Sequence, residues 1–247
     1  YRSNADLSPY LTNNAGLLVL YSKDQTYLIE VAASYFGSDQ YKDGNQYGFF
    51  PSASLGWVFS NESFAEDSKV LTFGKIKASY GTVGRNRFEN GRYPYEQFYN
   101  GSGSYPLGTD WTNSGAITPD RLANPDVSWE VSTQMNVGLD LEFFNHLNLS
   151  AEYFVNKNSN ILYGDDRNFS YTGATRPWEN IGESTIEGFD AKIGYASNEN
   201  EFKWHADILV SSFTHILDEF GEAKYTGDLA YLNRTGKSRT SMWGLET

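Results

Sequence analysis

The sequence predicts an all-β chain: an antiparallel transmembrane β-barrel segment of about eight strands in a meander. Three observations predict it. Long stretches alternate apolar and polar residues with a period of two, short and long connections alternate along the chain, and aromatic residues gather near the strand ends.

The clearest stretch runs over residues 129–143. Trp129, Val131, Met135, Val137, Leu139 and Leu141 form one row, and Glu130, Ser132, Gln134, Asn136, Gly138 and Asp140 form the other. A period of two is a β-strand, whose side chains point alternately to opposite faces. Strands of soluble proteins usually run about 5–6 residues. This one runs at least about 13, and a tilted strand needs roughly 9–11 to cross a bilayer. A long strand of a soluble sandwich would alternate in the same way, so the other elements must decide.

From the N-terminus, residues 15–22 are an apolar strand, followed by the short polar turn "KDQT" and a strand over 27–35. There Tyr27, Ile29, Val31, Ala33 and Tyr35 share one face and Glu30, Ala32 and Ser34 the other. Residues 36–48 read as a polar, Gly-rich loop. Over 49–60, Pro51, Ala53, Leu55, Trp57 and Phe59 oppose Ser52, Ser54, Gly56 and Ser60. "NESFAEDSK" reads as a compact turn. In the strand over 70–80, Ile76, Ala78 and Tyr80 oppose Lys75, Lys77 and Ser79. Residues 81–126 keep no period and read as one long loop. After 129–143 comes the tight turn "FNH" and a strand over 147–156, with Leu147, Leu149, Ala151, Tyr153 and Val155 opposite Asn148, Ser150, Glu152 and Asn156. A second long loop spans about 157–184. Strands over 187–195 and 202–210 then form a hairpin about "ASNENE", and beyond Thr214 the period fades.

The connections therefore run short, long, short, long. Outer-membrane barrels keep short turns on the periplasmic side and long loops outside. Tyr21, Trp57, Phe59, Tyr80, Trp129, Phe143, Phe202 and Trp204 sit where interfacial girdles belong. On this reading the row Val131–Leu141 faces lipid. Glu30, Lys75, Lys77, Glu130, Gln134, Asp140 and Glu152 line a wet lumen, where charges hydrate or pair.

Composition agrees. The 247 residues carry a formal net charge of -12 with a pI near 4.7, and no basic cluster offers itself to phosphates, which argues against nucleic acid. Cysteine is absent, so no disulfide or thiolate site forms. His146, His205 and His215 lie too far apart in sequence for a zinc motif. Mean hydropathy is -0.54, and no apolar run of about 18 residues exists. Half of every barrel strand is polar, so this hydropathy does not argue against a barrel.

Several ordered pieces carry a resemblance. "ANPDVSWEVSTQMNVGLD" (123–140), "YLIEVAASYFGSDQY" (27–41), "GFFPSASLGWVFSNESF" (48–64), "KIKASYGTVGRN" (75–86), "NIGESTIEGFDAKIGY" (180–195) and "GKSRTSMWGLET" (236–247) resemble the SusC/RagA-like TonB-dependent outer-membrane transporters. Where that family commonly reads Arg-Asp-Gly, this chain has Tyr35-Phe36-Gly37, and Trp243 replaces a usual Tyr. The resemblance covers nearly the whole chain. It implies a 22-stranded barrel of which residues 1–247 form part of the wall, the plug domain, TonB box and last strands not being in this sequence. It also implies import of a glycan or peptide driven through TonB, contact with membrane lipid, and a SusD-like surface lipoprotein as partner.

Candidate ligand contacts lie in the loop 81–126: Arg85, Arg87 and Arg92 for carboxylates, and Tyr93, Tyr95, Tyr99, Tyr105 and Trp111 as stacking faces. Phe98 belongs with them, and Arg167, Tyr171, Arg176 and Trp178 repeat the pattern in the next long loop. Packing of these loops on themselves or on a lid is the competing reading. No catalytic site, metal or cofactor is expected. Glu130 and Glu152, both inward on adjacent strands, make a conceivable acid pair, with lumen lining as the competing reading. "DQYKDG" (39–44) matches a calcium loop badly, with Tyr41 at a ligand position and Phe50 where the bidentate Glu belongs. "GKS" (236–238) has Tyr231 where a P-loop needs Gly. Three rivals stay open: a soluble carbohydrate-binding module, a β-sandwich enzyme using Glu130 and Glu152, and a passive porin.

Overall fold

The computed structural model describes residues 9–86, 92–109, 112–164, 175–197 and 202–241. Eight long strands form an antiparallel meander: β1 (Thr12–Lys23), β2 (Tyr27–Ser38), β3 (Tyr47–Trp57), β4 (Leu71–Arg85), β7 (Glu130–Phe143), β8 (Leu147–Gly164), β9 (Trp178–Ser197) and β10 (Trp204–Glu219). A two-residue strand, β11 (Lys237–Ser238), pairs with β10. Between β4 and β7, the strands β5 (Tyr99–Leu107) and β6 (Thr112–Pro119) make a separate two-stranded sheet.

The wall strands are longer than the sequence periods suggested, and the extra length lies at the loop end. β8 continues to Gly164 and β9 begins at Trp178, inside the stretch read as a loop over 157–184. β10 continues past Thr214 to Glu219. There the strands project beyond the apolar band, so one face need no longer be greasy and the period weakens. The hairpin β5–β6 was also read as loop. Its Gly, Ser and Asn residues pair through backbone alone, and both faces are largely exposed, so no alternation marks it.

The two shortest turns share one geometry. Asp24 and Gln25 have φ of 52° and 55°, and the Thr26 amide donates to the Lys23 carbonyl at 2.9 Å. Phe144 and Asn145 have φ of 55° and 59°, and the His146 amide donates to the Phe143 carbonyl at 3.0 Å. Two consecutive positive φ values define the type I′ turn, whose twist matches that of paired strands. The β3–β4 connection over 58–70 is compact but not short. A 3-10 turn (Phe59–Asn61) opens it, and local backbone bonds from Ala65, Glu66 and Ser68 fold it on itself. Glu62 fixes it to the wall. Its Oε1 accepts from the Tyr27 hydroxyl at 2.6 Å and the Trp57 indole at 3.1 Å, and those two donors, in that order, hold its carboxyl below the usual range. Phe59 thus leaves the apolar row assigned to it, and its ring covers Gly74 of β4.

One face of the sheet is apolar and exposed: Tyr27, Ile29, Val31 and Tyr35 on β2, Ile76 and Tyr80 on β4, Met135, Val137 and Leu139 on β7. Aromatic residues bound it at both ends. Tyr21, Tyr27, Trp57, Tyr195 and Trp204 lie toward the short turns, with the Tyr195 and Trp204 rings 5.2 Å apart. Tyr35, Tyr47 and Phe49 lie toward the long loops, with Tyr35 and Tyr47 stacked at 5.1 Å. Tyr27 and Tyr35 are separated by about 27 Å of strand, which at the usual tilt stands roughly 20 Å high, near the ~25 Å of a barrel's apolar band. Trp129 departs from this pattern. Expected in the lipid-facing row, it is only 6% exposed and packs against Phe36 and Phe50 on the opposite face. Val131, two residues on in the same row and also expected toward lipid, packs against it, so at the loop end of β7 this row leaves the lipid face for a small core.

Candidate functional site

The polar face carries a charged row. Register places Leu28, Gly56, Lys77, Gly138, Glu152, Asp190 and Ser211 side by side across seven of the wall strands. Lys77 Nζ lies 3.2 Å from Glu152 and 3.4 Å from Asp140. Glu152 is two strands away from Lys77, with Gly138 between them. A Cβ at Gly138 would stand 3.1 Å from Lys77 Cγ and closer still to Cε, so the missing side chain is what lets the lysine cross β7. Asp140 also accepts from the Ser150 hydroxyl at 2.6 Å. Lys75 faces Asp140 in the next row, Glu30 pairs with Ser54, and Gln134 lies between Gly81 and Asn156. A trough of about 520 Å³ runs along Glu30, Ser54, Lys75, Lys77, Asn136 and Glu152. Glu30, Lys75, Lys77, Gln134, Asp140 and Glu152 thus occupy neighbouring positions on one face, and Glu130 stands apart from them. Asp190 and Lys192 join them, Lys192 reaching Asp207 at 3.3 Å. Their signal was the alternation with Phe189, Ala191 and Ile193.

Glu130 plays a different part. Its carboxylate accepts from the Leu162 amide at 2.8 Å and lies 3.6 Å from Arg85, at the loop end of the wall. Glu152 pairs with Gly138, eight residues further along β7 (138 − 130 = 8), which puts the two carboxylates about 27 Å apart along the strand. Glycosidic acid pairs stand within roughly 10 Å. The conceivable acid pair is therefore ruled out by register.

At the loop end the polar face closes over a small core of Tyr41, Val127 and Trp129, with Phe36, Phe50, Val131, Leu162 and Trp178 against it. The Tyr41 hydroxyl donates to the Arg85 carbonyl at 3.3 Å, and burial, then the charge of Glu130, pushes its phenol above the usual range. Tyr41 is thus a packing residue of this core. Asp39 accepts from the Leu11 amide at 3.2 Å and the Tyr93 hydroxyl at 3.3 Å, with Arg92 at 4.0 Å. The Arg92 guanidinium lies 3.9 Å over the Tyr10 ring. The Tyr95 hydroxyl donates to the Asp39 carbonyl at 3.4 Å.

Of the ligand candidates, Arg92, Tyr93 and Tyr95 therefore come together around Asp39 as a clasp between the loop and β2. Arg85 sits beside Glu130. Tyr99 and Tyr105 stand apart on the hairpin, 53% and 63% exposed. Arg87 and Trp111, with Arg167 and Tyr171, lie outside the described residues. A second clasp was only half seen in the sequence. Arg121 stacks on Trp178 at 4.4 Å and donates to the Arg176 carbonyl at 2.6 Å. Asn124 donates to the Trp178 carbonyl at 2.6 Å. Below both clasps a recess of about 330 Å³ opens on the polar face, walled by Phe36, Phe50 and Trp129 and floored by Ala32, Ser34 and Ser52.

A two-faced wall, girdled by aromatics and closed at one end by anchored loops, is the architecture of an outer-membrane barrel. Residues 4–245 match the family described as TonB dependent receptor-like, beta-barrel. The chain belongs to that family. This TonB-dependent receptor β-barrel chain is 32% identical over 188 residues to TonB-dependent receptor P3 of Formosa agariphila, covering 75% of the chain and 18% of the relative. It is 30% identical over 128 residues to the receptor SusC of Bacteroides thetaiotaomicron, covering 51% of the chain and 12% of the relative. It superposes on the RagAB peptide importer in its closed-closed state with a TM-score of 0.71 at 22% identity, covering 89% of this chain and 23% of that one, a likeness of fold. The chain spans about a fifth of the length of the first curated relatives it matches. The barrel family places it in the outer membrane. The soluble-module reading falls with that placement, and the family is one of receptors and not of enzymes.

Proposed function

We propose that the chain forms part of the wall of an outer-membrane importer that takes up a glycan or a peptide, driven through TonB, with a plug domain inside the larger barrel and a SusD-like surface lipoprotein over the long loops. The observation that carries this reading is the charged lane of Lys77, Asp140, Glu152, Asp190 and Lys192 on the face opposite the apolar band. Such a lane requires water or a polar protein filling, and a lumen supplies either. Family membership supports the energy source. The relatives' printed names, TonB-dependent receptor SusC and the RagAB peptide importer, suggest the two cargo classes. Arg85, Arg87, Arg92, Tyr93, Tyr95, Tyr99, Tyr105 and Trp111 remain the proposed ligand neighbourhood, with Arg92, Tyr93 and Tyr95 shaping it from behind and Tyr99 and Tyr105 offering free rings.

The test is growth on, and uptake of, oligosaccharides and oligopeptides by cells carrying the full-length protein, with and without a functional TonB. Uptake that stops without TonB is the expected result. Uptake that continues unchanged would instead favour the passive porin.

A further inference from the structure

A recess of about 330 Å³ lies beneath the clasps, beside the small core at the loop end. It sits on the polar face yet is walled by aromatic rings. Phe36 and Trp129 meet edge to face at 5.5 Å, and Phe50 meets Trp129 at the same separation. Its floor is made of the small residues Ala32, Ser34 and Ser52, where β2 and β3 pair as Ala32 with Ser52 and Ser34 with Phe50. Gly81 backs the floor, because a Cβ there would collide with Ser52. Thr82 and Asn86 supply polar groups at the rim. Binding pockets are concave, mostly apolar, carry few polar groups, and start near 300 Å³. At about 330 Å³ this recess has room for one large side chain and not for an oligosaccharide.

The kind of wall selects the occupant. A sugar ring needs an exposed aromatic face to stack on and planar polar side chains around its hydroxyls. Trp129 offers no such face, being 6% exposed, with the Tyr41 ring tilted against it at 4.9 Å and Phe36 and Phe50 each at 5.5 Å. What remains is an aromatic-walled slot with hydroxyls at its base. From this we infer that the recess is a side-chain subsite for a peptide ligand, taking one aromatic or large aliphatic side chain. The inference rests on the importer reading and narrows its cargo to peptides. The extended backbone of the ligand then lies across the rim near Thr82 and Asn86, below the Asp39 clasp.

The test uses the full-length protein purified in detergent, with the tripeptides Ala-Phe-Ala and Ala-Ala-Ala as probes and a neutral trisaccharide as competitor. Burying a phenyl group gives Ala-Phe-Ala an advantage of about tenfold to a hundredfold over Ala-Ala-Ala. Ala32→Phe fills the floor and removes that advantage. Ser52→Leu, which fills it from the neighbouring strand, does the same, and heat-modifiable gel mobility confirms that each barrel has folded. Equal affinity for the two peptides, an advantage that survives both filling variants, or displacement of Ala-Phe-Ala by the trisaccharide overturns the inference. Uptake separates it from the broader reading. TonB-dependent uptake with no side-chain preference removes the subsite alone. A side-chain preference in binding without TonB-dependent uptake removes the importer and leaves the subsite.

Discussion

Gly138 shows how much a single absent side chain contributes. Lys77 reaches Glu152 only because nothing stands on β7 between them. Gly138→Val should push the ammonium aside and uncouple the pair while the wall still forms. Partly hydrated ion pairs contribute little individually, so the loss should stay near 1 kcal/mol. A double-mutant cycle with Glu152→Gln in urea unfolding from liposomes measures it: Glu152→Gln should cost stability in the native background and nothing further beside Gly138→Val. An equal cost in both backgrounds would mean that the lysine does not depend on the glycine. Trp129 makes the complementary case. Its indole nitrogen is buried and has no hydrogen-bond partner among the described residues, so its contribution is packing. Trp129→Phe should therefore melt within a few degrees of the native protein, whereas Trp129→Ala should lose about 3–5 kcal/mol. The alternation in sequence located both residues but said nothing of these roles. A lysine that crosses a strand, and a tryptophan that turns inward one residue before its strand begins, are set by neighbours distant in sequence.

At the scale of elements, turns and loops carry the testable differences. The β7–β8 turn holds Phe144 and Asn145 at positive φ, where Asn-Gly is preferred. Replacing the pair by Asn-Gly should raise stability by about 1 kcal/mol, read as a higher midpoint of unfolding. The loop after β10 is bracketed by Glu222, whose carboxylate accepts from the Arg234 amide at 2.8 Å and from the Thr235 amide and hydroxyl at 3.0 and 3.1 Å. Partial burial pushes this carboxyl up, but the donors at Thr235 and Arg234 outweigh it and leave it below its usual value. A lowered folded-state pKa stabilises the bracket above the unfolded value, about 4.3, and the benefit is lost as pH falls through the folded value. Protection of the Arg234 and Thr235 amides, taken relative to the intrinsic exchange rate at each pH, should hold at pH 5–7 and fall once acid protonates Glu222. Glu222→Gln should abolish that pH dependence. The eight wall strands were legible in the sequence because lipid on one side and water on the other enforce a period of two. The hairpin β5–β6 was not, since among the described residues neither of its faces is held against a partner that would impose one. The clasps at Asp39 and Arg121 were legible only as residue types, because their partners come from segments far away in the chain.

For the whole molecule, the membrane decides which substitutions matter. Val137 lies mid-strand on the apolar face, and Asn136 beside it faces the polar one. Val137→Lys should cost roughly 2–4 kcal/mol near the bilayer midplane and reduce the assembled barrel in outer-membrane fractions. Asn136→Lys should assemble normally. Equal assembly of the two variants would contradict the assignment of faces. The charged lane is the counterpart of this rule, since Lys77, Asp140 and Glu152 occupy the one surface where the bilayer exacts no penalty.

The segment between β4 and β7 is tethered at both of its roots. Arg92 and Tyr93 tie the incoming root to Asp39, and Arg121 and Asn124 tie the outgoing root to the start of β9. The Asp120 amide bonds the Phe98 carbonyl at 3.0 Å across the neck of the hairpin. Beyond that neck β5 and β6 pair with each other and, among the described residues, with no wall strand. Changes of length or sequence within this hairpin should therefore leave assembly of the barrel intact, as read from its level in outer-membrane fractions. An outer-membrane barrel built this way has a loop segment free to diverge in sequence while the wall beneath it stays constant.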